Sequence, residues 1–213
     1  MRPINKGFAP KQYSRYQDAR DDLADKIGWY CSYCEMPVKN LLAVEHIVPR
    51  NKGGAELEWH NFLLSCTYCN SIKSNNNNSR LGYYWADVND TFHIFTYHPF
   101  FPILPHASLN KQEYVLAENT IKLTGLDKQP AAIHTPTLRD TRWVSRQEAW
   151  GIAYKSLANW RRFPVLPLLN QIVNTAVGTG HFSIWMSVFE AEKGLQSAFI
   201  DAFVGTQKSH FNI

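Results

Sequence analysis

The sequence predicts an α+β fold: a small strand–loop–strand–helix unit stapled by paired cysteines, with an N-terminal helix before it and a mainly helical C-terminal region after it. Three observations lead there. All four cysteines fall into two C-x-x-C pairs, Cys31/Cys34 and Cys66/Cys69. Between the pairs, two short apolar runs flank a polar loop containing Gly53-Gly54. From about residue 110 onward, apolar residues recur at helical spacing between polar caps. The natural division is 1–85, holding the N-terminal helix and the cysteine-stapled unit, and 86–213, the helical remainder.

With 213 residues, 45% of them hydrophobic, the chain is long enough for a sizeable core. No apolar run approaches the ~18 to 20 residues of a membrane span. The opening "MRPINKGFAP" lacks the apolar stretch of a secretory signal, so a cytoplasmic protein without membrane association is expected. The net charge is +4. Residues 1–80 carry 11 Lys and Arg against 8 Asp and Glu, which concentrates the basic excess in the part that holds the cysteines.

Taken in order, "QYSRYQDARDDLADKI" (12–27) places Tyr13, Tyr16, Leu23 and Ile27 on one face of a helix, and Gly28 stops it. The first cysteine pair follows. Two thiolates at C-x-x-C spacing reach one tetrahedral ion, and the second pair completes a closed four-cysteine site, the pattern of structural Zn2+. Four buried unliganded cysteines are the bland alternative. A redox pair is disfavoured, because neither motif has a Trp-Cys-Gly-Pro-like context and the cytosol is reducing.

The 31 residues between the pairs exceed a usual zinc-ribbon insert and must build something. "NLLAVEHIV" (40–48) and "NFLLSC" (61–66) read as strands, and "NKGGAELEWHN" as the loop between them. A helix follows, with a polar cap at Asn70 and Ser71. The asparagine tract 74–80 reads as a loop or a helix end. "TFHIFTYH" (91–98) alternates as a strand, with Phe92, Ile94 and Thr96 on one side. A helix between Asn110 and Gly125 comes next. Another carries Trp143, Gln147, Trp150, Tyr154 and Leu157 as a stripe, most simply a core face, with a partner helix or nucleic-acid stacking as its other uses. "FSIWMSVF" (182–189) is apolar almost throughout, and periodicity does not choose between strand and helix.

The first strand ends on two titratable residues, Glu45 and His46, which are costly beside a core unless something uses them. C-x-x-C, acid-His at a strand end, Asn61, then C-x-x-C-Asn with Lys73 three residues on resembles the HNH endonuclease motif, a ββα-metal nuclease core. The resemblance implies His46 as general base, Asn61 as the residue that holds the loop, Asn70 as a ligand of a divalent cation, and Glu45 in the acidic ligand place. That place is more often Asp.

The residue types suit phosphodiester hydrolysis, which needs an activated water and positive charge against the phosphate. His46 titrates near neutral pH, and the oxygens of Glu45 and Asn70 suit Mg2+ or Mn2+. Arg50 and Lys52, on the loop after His46, are candidates for positioning phosphate. Lys73 is either a phosphate contact or a solvated helix residue, and His60 is expected to pack or to hydrogen-bond within the loop.

Further phrases, "MRPINKG", "IGWYCSYCE", "NFLLSCTYCNSIK", "ENTIKLTGLD", "GHFSIWMSVF" and "AFVGT", are similar to the PtuB family, the nuclease subunits of Septu-type anti-phage systems, including those found beside retrons. That similarity implies a DNA endonuclease of bacterial defence, working with a separate ABC-type, PtuA-like ATPase docked on residues 86–213. No Gly-x-x-x-x-Gly-Lys-Ser/Thr occurs in the chain, so ATP control would come from that partner. An RNA-cleaving enzyme with the same site, and a non-catalytic zinc-knuckle adaptor, are the alternatives. Glu45, His46 and Asn70 together speak against the adaptor, which needs no base beside a metal ligand.

Overall fold

The computed structural model describes residues 1–38 and 42–212, so Asn40 and Leu41, the start of the first expected strand, lie outside the described residues. α1 spans Ala19–Ile27 and buries Ala19, Leu23, Ala24 and Ile27. It ends at Gly28, whose φ of 77° and whose position 2.7 Å from the Tyr30 ring for any added Cβ both demand glycine. The helix is shorter than 12–27. Residues 16–18 form a 3-10 turn, and Tyr13 lies outside it. There its hydroxyl donates to Asp22 at 3.0 Å and its ring stacks on Trp59. A tertiary contact has replaced one helical turn.

β1 (Ala43–His46) and β2 (Phe62–Ser65) pair antiparallel, with Glu45 opposite Leu63 and His46 opposite Phe62. All four residues of β2 are buried, so it is covered on both faces. α2 (Thr67–Lys73) follows at once. It begins three residues before Asn70, because the cap is the Cys66 sulfur, which accepts the Cys69 N–H at 3.4 Å. Asn70 is therefore an interior helical residue.

The expected strand 91–98 is mostly absent. Thr91–Ile94 form a single helical turn, α3, and only Phe95–Thr96 are extended, as β3, pairing with β4 (Leu104–Pro105). Ile94 and Phe95 are both buried in succession, and Phe92 packs on Phe182 and Phe211, a demand that strict alternation does not meet. α4 (Lys111–Thr124) has the expected limits: Asn110 and Glu113 form a reciprocal capping box, and Gly125 closes the helix at φ 62°.

The C-terminal region is helical: α5 (Arg142–Arg162), α6 (Leu166–Thr179), α7 (Phe182–Val188) and α8 (Lys193–Ala202). α5 packs on α6 and α7, and α8 covers α6 and α7. The aromatic stripe of α5 is core only in part. Trp150 and Leu157 are buried, but Tyr154 is 48% exposed, and the buried line runs through Arg146, Ala149, Trp150, Ala153 and Leu157. In α7, Phe182 to Met186 are all buried, which is why its sequence shows no amphipathic period.

Two hydrophobic clusters result. One runs from Met1 to Leu126 around α1, β1, β2 and α4, and the other from Ala149 to Phe203 within α5–α8. Trp85 and Ala86 both lie in the first cluster, so the core has no break at position 85. Tyr97 packs against both clusters. Residues near the two ends of the sequence also meet: Ile4 bridges Thr206, and Arg2 donates to the carbonyls of Phe203 (2.9 Å) and Val204 (2.7 Å). No helix among the described residues is long and apolar enough to cross a membrane.

Candidate active site

β1 delivers His46 to the rim of an open cleft of about 510 Å³, whose other walls come from Arg50 and from Thr67, Asn70, Ser71 and Ser74 of α2 and its end. The imidazole is half-buried, with Tyr16 edge-on at 4.7 Å and Phe62 at 5.2 Å. Its Nε2 lies 2.9 Å from the Glu56 carbonyl oxygen. A carbonyl only accepts, so Nε2 carries the hydrogen in the neutral ring, and the lone pair sits on Nδ1. Nδ1 has no hydrogen-bond partner among the described residues. Burial lowers the His46 pKa below its ordinary value, and the Arg50 charge adds to the effect against the opposing Glu56 carbonyl.

The loop that carries the Glu56 carbonyl is set by Asn61. This buried side chain accepts the Val48 N–H at 2.8 Å and donates to the carbonyls of Val48 and Ala55, both at 2.9 Å. Its backbone carbonyl takes the Ile47 N–H at 2.9 Å. All three of these side-chain bonds are thus directed at the loop, and none at the cleft. Gly54 is required beside it: a Cβ there would stand 1.8 Å from the Val48 carbonyl oxygen. Asn61 is a positioning residue.

Glu45 and Lys73 form a buried ion pair at 2.5 Å. Lys73 is wholly inaccessible and also donates to the His46 carbonyl at 2.9 Å, so the expectation of a phosphate contact or a solvated helix residue is corrected for it. Its charge is spent on the floor of the site. Burial raises the Glu45 carboxyl to about 7 against the pull of Lys73. Glu45 is still the only acid among the described residues lining the cleft. With one oxygen held by Lys73, its second oxygen and the Asn70 amide are the donors that could meet a cation there. So sparse a set fits an ion that keeps most of its shell for water and phosphate.

Arg50 is exposed, paired with Glu56 at 2.7 Å and lying over the Tyr16 ring at 4.9 Å. Lys52 is exposed in the same 3-10 turn, Arg50–Lys52. His60 is exposed, and its backbone carbonyl accepts from Lys6 (3.1 Å) and Arg80 (2.9 Å). Tyr16 escaped sequence reasoning, because no local pattern links a residue before the first cysteine pair to His46.

On the other side of α2, Cys31, Cys34, Cys66 and Cys69 are buried with their sulfurs within 4.8 Å of one another. Cys34 and Cys66 are 3.8 Å apart. Zn–S bonds of about 2.3 Å in a tetrahedron set sulfurs about 3.8 Å apart, so the four residues fit a closed zinc site. They are the only group of three or more His, Cys, Asp or Glu able to hold an ion among the described residues.

Residues 31–76, from the first cysteine through β1, β2 and α2, match the family model described as HNH endonuclease. This part of the chain is an HNH endonuclease domain, of the nuclease class, with a cysteine cluster that could hold zinc. No curated protein and no solved structure matches the chain.

Proposed function

We propose that the protein is a metal-dependent DNA endonuclease with His46 as its general base. The observation that carries this reading is the commitment of Nε2 to the Glu56 carbonyl, which leaves Nδ1 basic at the edge of an open, polar cleft. A water beside Nδ1 gives its proton to that nitrogen as its oxygen attacks phosphorus, the bond from phosphorus to the leaving sugar oxygen breaks and that oxygen takes up a proton from solvent, and the imidazolium so formed keeps its Nε2–H on Glu56. Glu45 and Asn70 would hold Mg2+ or Mn2+, which when bound would stabilise the charge that builds on the phosphate oxygens. Arg50 is held by an exposed ion pair with Glu56, the kind worth about 0–1 kcal/mol, and by its place over the Tyr16 ring, so it turns to a phosphate at little cost. Lys52, in the same turn, adds affinity for the backbone without base specificity.

The resemblance of phrases outside the HNH domain to the PtuB family supports the wider reading: a cytoplasmic anti-phage nuclease controlled by an ABC-type ATPase that docks on the C-terminal helices. Purified protein, with and without such an ATPase, should be incubated with duplex DNA and with total RNA in Mg2+ or Mn2+. Cleavage of DNA supports the proposal. Cleavage of RNA alone would transfer the same site to the other substrate, and cleavage of neither in any combination would return the protein to the class of binding modules.

A further inference from the structure

The helix α5 begins at a residue that touches the cysteine cluster from outside the HNH domain. Arg142 is 1% exposed. Its Nη1 donates to the Cys69 sulfur at 3.0 Å and to the Thr124 carbonyl at 3.0 Å. Nη2 donates to the Gly125 carbonyl (3.1 Å) and to Asp140 (2.8 Å), and Nε to the other Asp140 oxygen (2.8 Å). All five guanidinium N–H groups are therefore used. One turn on, Arg146 is buried as well. Its Nη2 donates to the Lys128 carbonyl at 2.9 Å, while Nη1 has no hydrogen-bond partner among the described residues.

Two buried arginines one helical turn apart are expensive unless negative charge answers them. Asp140 answers one, and it also orients Arg142 through two parallel bonds. Four thiolates around a divalent cation carry a net charge of about −2, and a centre so charged, sealed from water, needs cations beside it for the same reason.

We infer that Arg142 and Arg146 are the outer charge partners of a metal–tetrathiolate centre at Cys31, Cys34, Cys66 and Cys69, and that the bound ion thereby fastens the start of α5 to the HNH domain. The metal then holds together more than the two knuckles. It links α2, the C-terminal end of α4 and the first turns of α5, since Arg142 in α5 bonds to both of the other two. Capping the end of α4 would by itself explain the bonds to Thr124 and Gly125, but not the sulfur contact or the second buried arginine.

The test reads the metal, not cleavage. In Arg142→Met and Arg146→Met, zinc affinity measured against a competing chelator should fall about 10- to 100-fold, the scale for loss of a partner outside the ligand set. Thiol-reagent attack on the zinc-bound cysteines should quicken, and Arg142→Lys should recover part of both effects. Unchanged affinity and thiol reactivity in the two Met variants would overturn the inference. Should Arg142→Met not fold, the unaltered protein still decides: chelating its metal should raise amide hydrogen exchange across the first two turns of α5 together with the cysteine knuckles. Protection retained in α5 while the knuckles lose theirs would overturn it equally.

Discussion

Lys73 and Glu45 meet beneath the strand end that carries His46 as a buried ion pair, 2.5 Å apart, with the lysine wholly out of solvent. The pair is structural support for the cleft, because the same ammonium also holds the His46 carbonyl. Lys73→Met should therefore destabilise the protein by about 3–5 kcal/mol, the cost of leaving a buried charge uncompensated. Glu45→Gln combined with Lys73→Met should be milder than Lys73→Met alone. Denaturant midpoints of the single and double variants measure this, and a double variant as unstable as the sum of its parts would contradict it.

His46→Ala should fold with its zinc retained and lose cleavage by about 10²- to 10⁴-fold or more. Metal content and circular dichroism check the first part, and single-turnover cleavage the second.

For the cation, Asn70→Ala is the cleaner probe, since removing Glu45 also strands Lys73. Asn70 is half-buried on the cleft wall. Cleavage should weaken and be partly restored by raising Mg2+ or Mn2+. A titration showing equal metal dependence in variant and parent would remove Asn70 from the ligand set.

The pH profile carries a sign. His46 works as a base only when neutral, and burial lowers its pKa below the ordinary value of about 6.5. With Mg2+ or Mn2+ saturating, so that Glu45, raised by burial to about 7, stays ionised on the cation, the acid limb of kcat/KM should accordingly lie below that value, with activity persisting as pH falls through 6.5 and failing only further down. Arg50 pushes in the same direction, so Arg50→Gln should move the limb to higher pH. A limb that stays in place would show that Arg50 acts on the phosphate alone.

Asn61→Ala should leave the Val48 amide and the Val48 and Ala55 carbonyls unpaired, costing about 1–3 kcal/mol of stability. Its effect on cleavage should be smaller than that of His46→Ala, because the side chain sets the loop and does not reach the cleft. Thermal melts and cleavage rates on the same preparations separate the two effects.

What the sequence disclosed of this molecule is the chemistry that is local in the chain. The paired cysteines, the strand ending at His46, the loop-holding Asn61, and the Asn110/Glu113 box with Gly125 all belong to short motifs of neighbouring residues. The misplaced elements depend on distant ones. Tyr13 leaves its helix for Trp59, residues 91–94 coil so that Phe92 can reach Phe182, and Tyr154 faces solvent because Ala149 and Ala153 pack instead. Lys73 was legible as a motif residue but not as the partner of Glu45, since burial is decided by how α2 lies on β1. Arg142 left no mark at all: an arginine at a helix start is ordinary until a sulfur from another helix is seen beside it.

The bridge between Ile4 and Thr206 sets the order in which the molecule can be completed. β1, β2 and α2 are close in sequence and can assemble early, but the first few residues must wait, without their edge partner, until Thr206 has left the ribosome. Arg2, which donates to the carbonyls of Phe203 and Val204, waits with them. A nascent nuclease would thus remain open at that seam while every helix from α1 to α8 is being made, and close only once the segment after α8 has emerged.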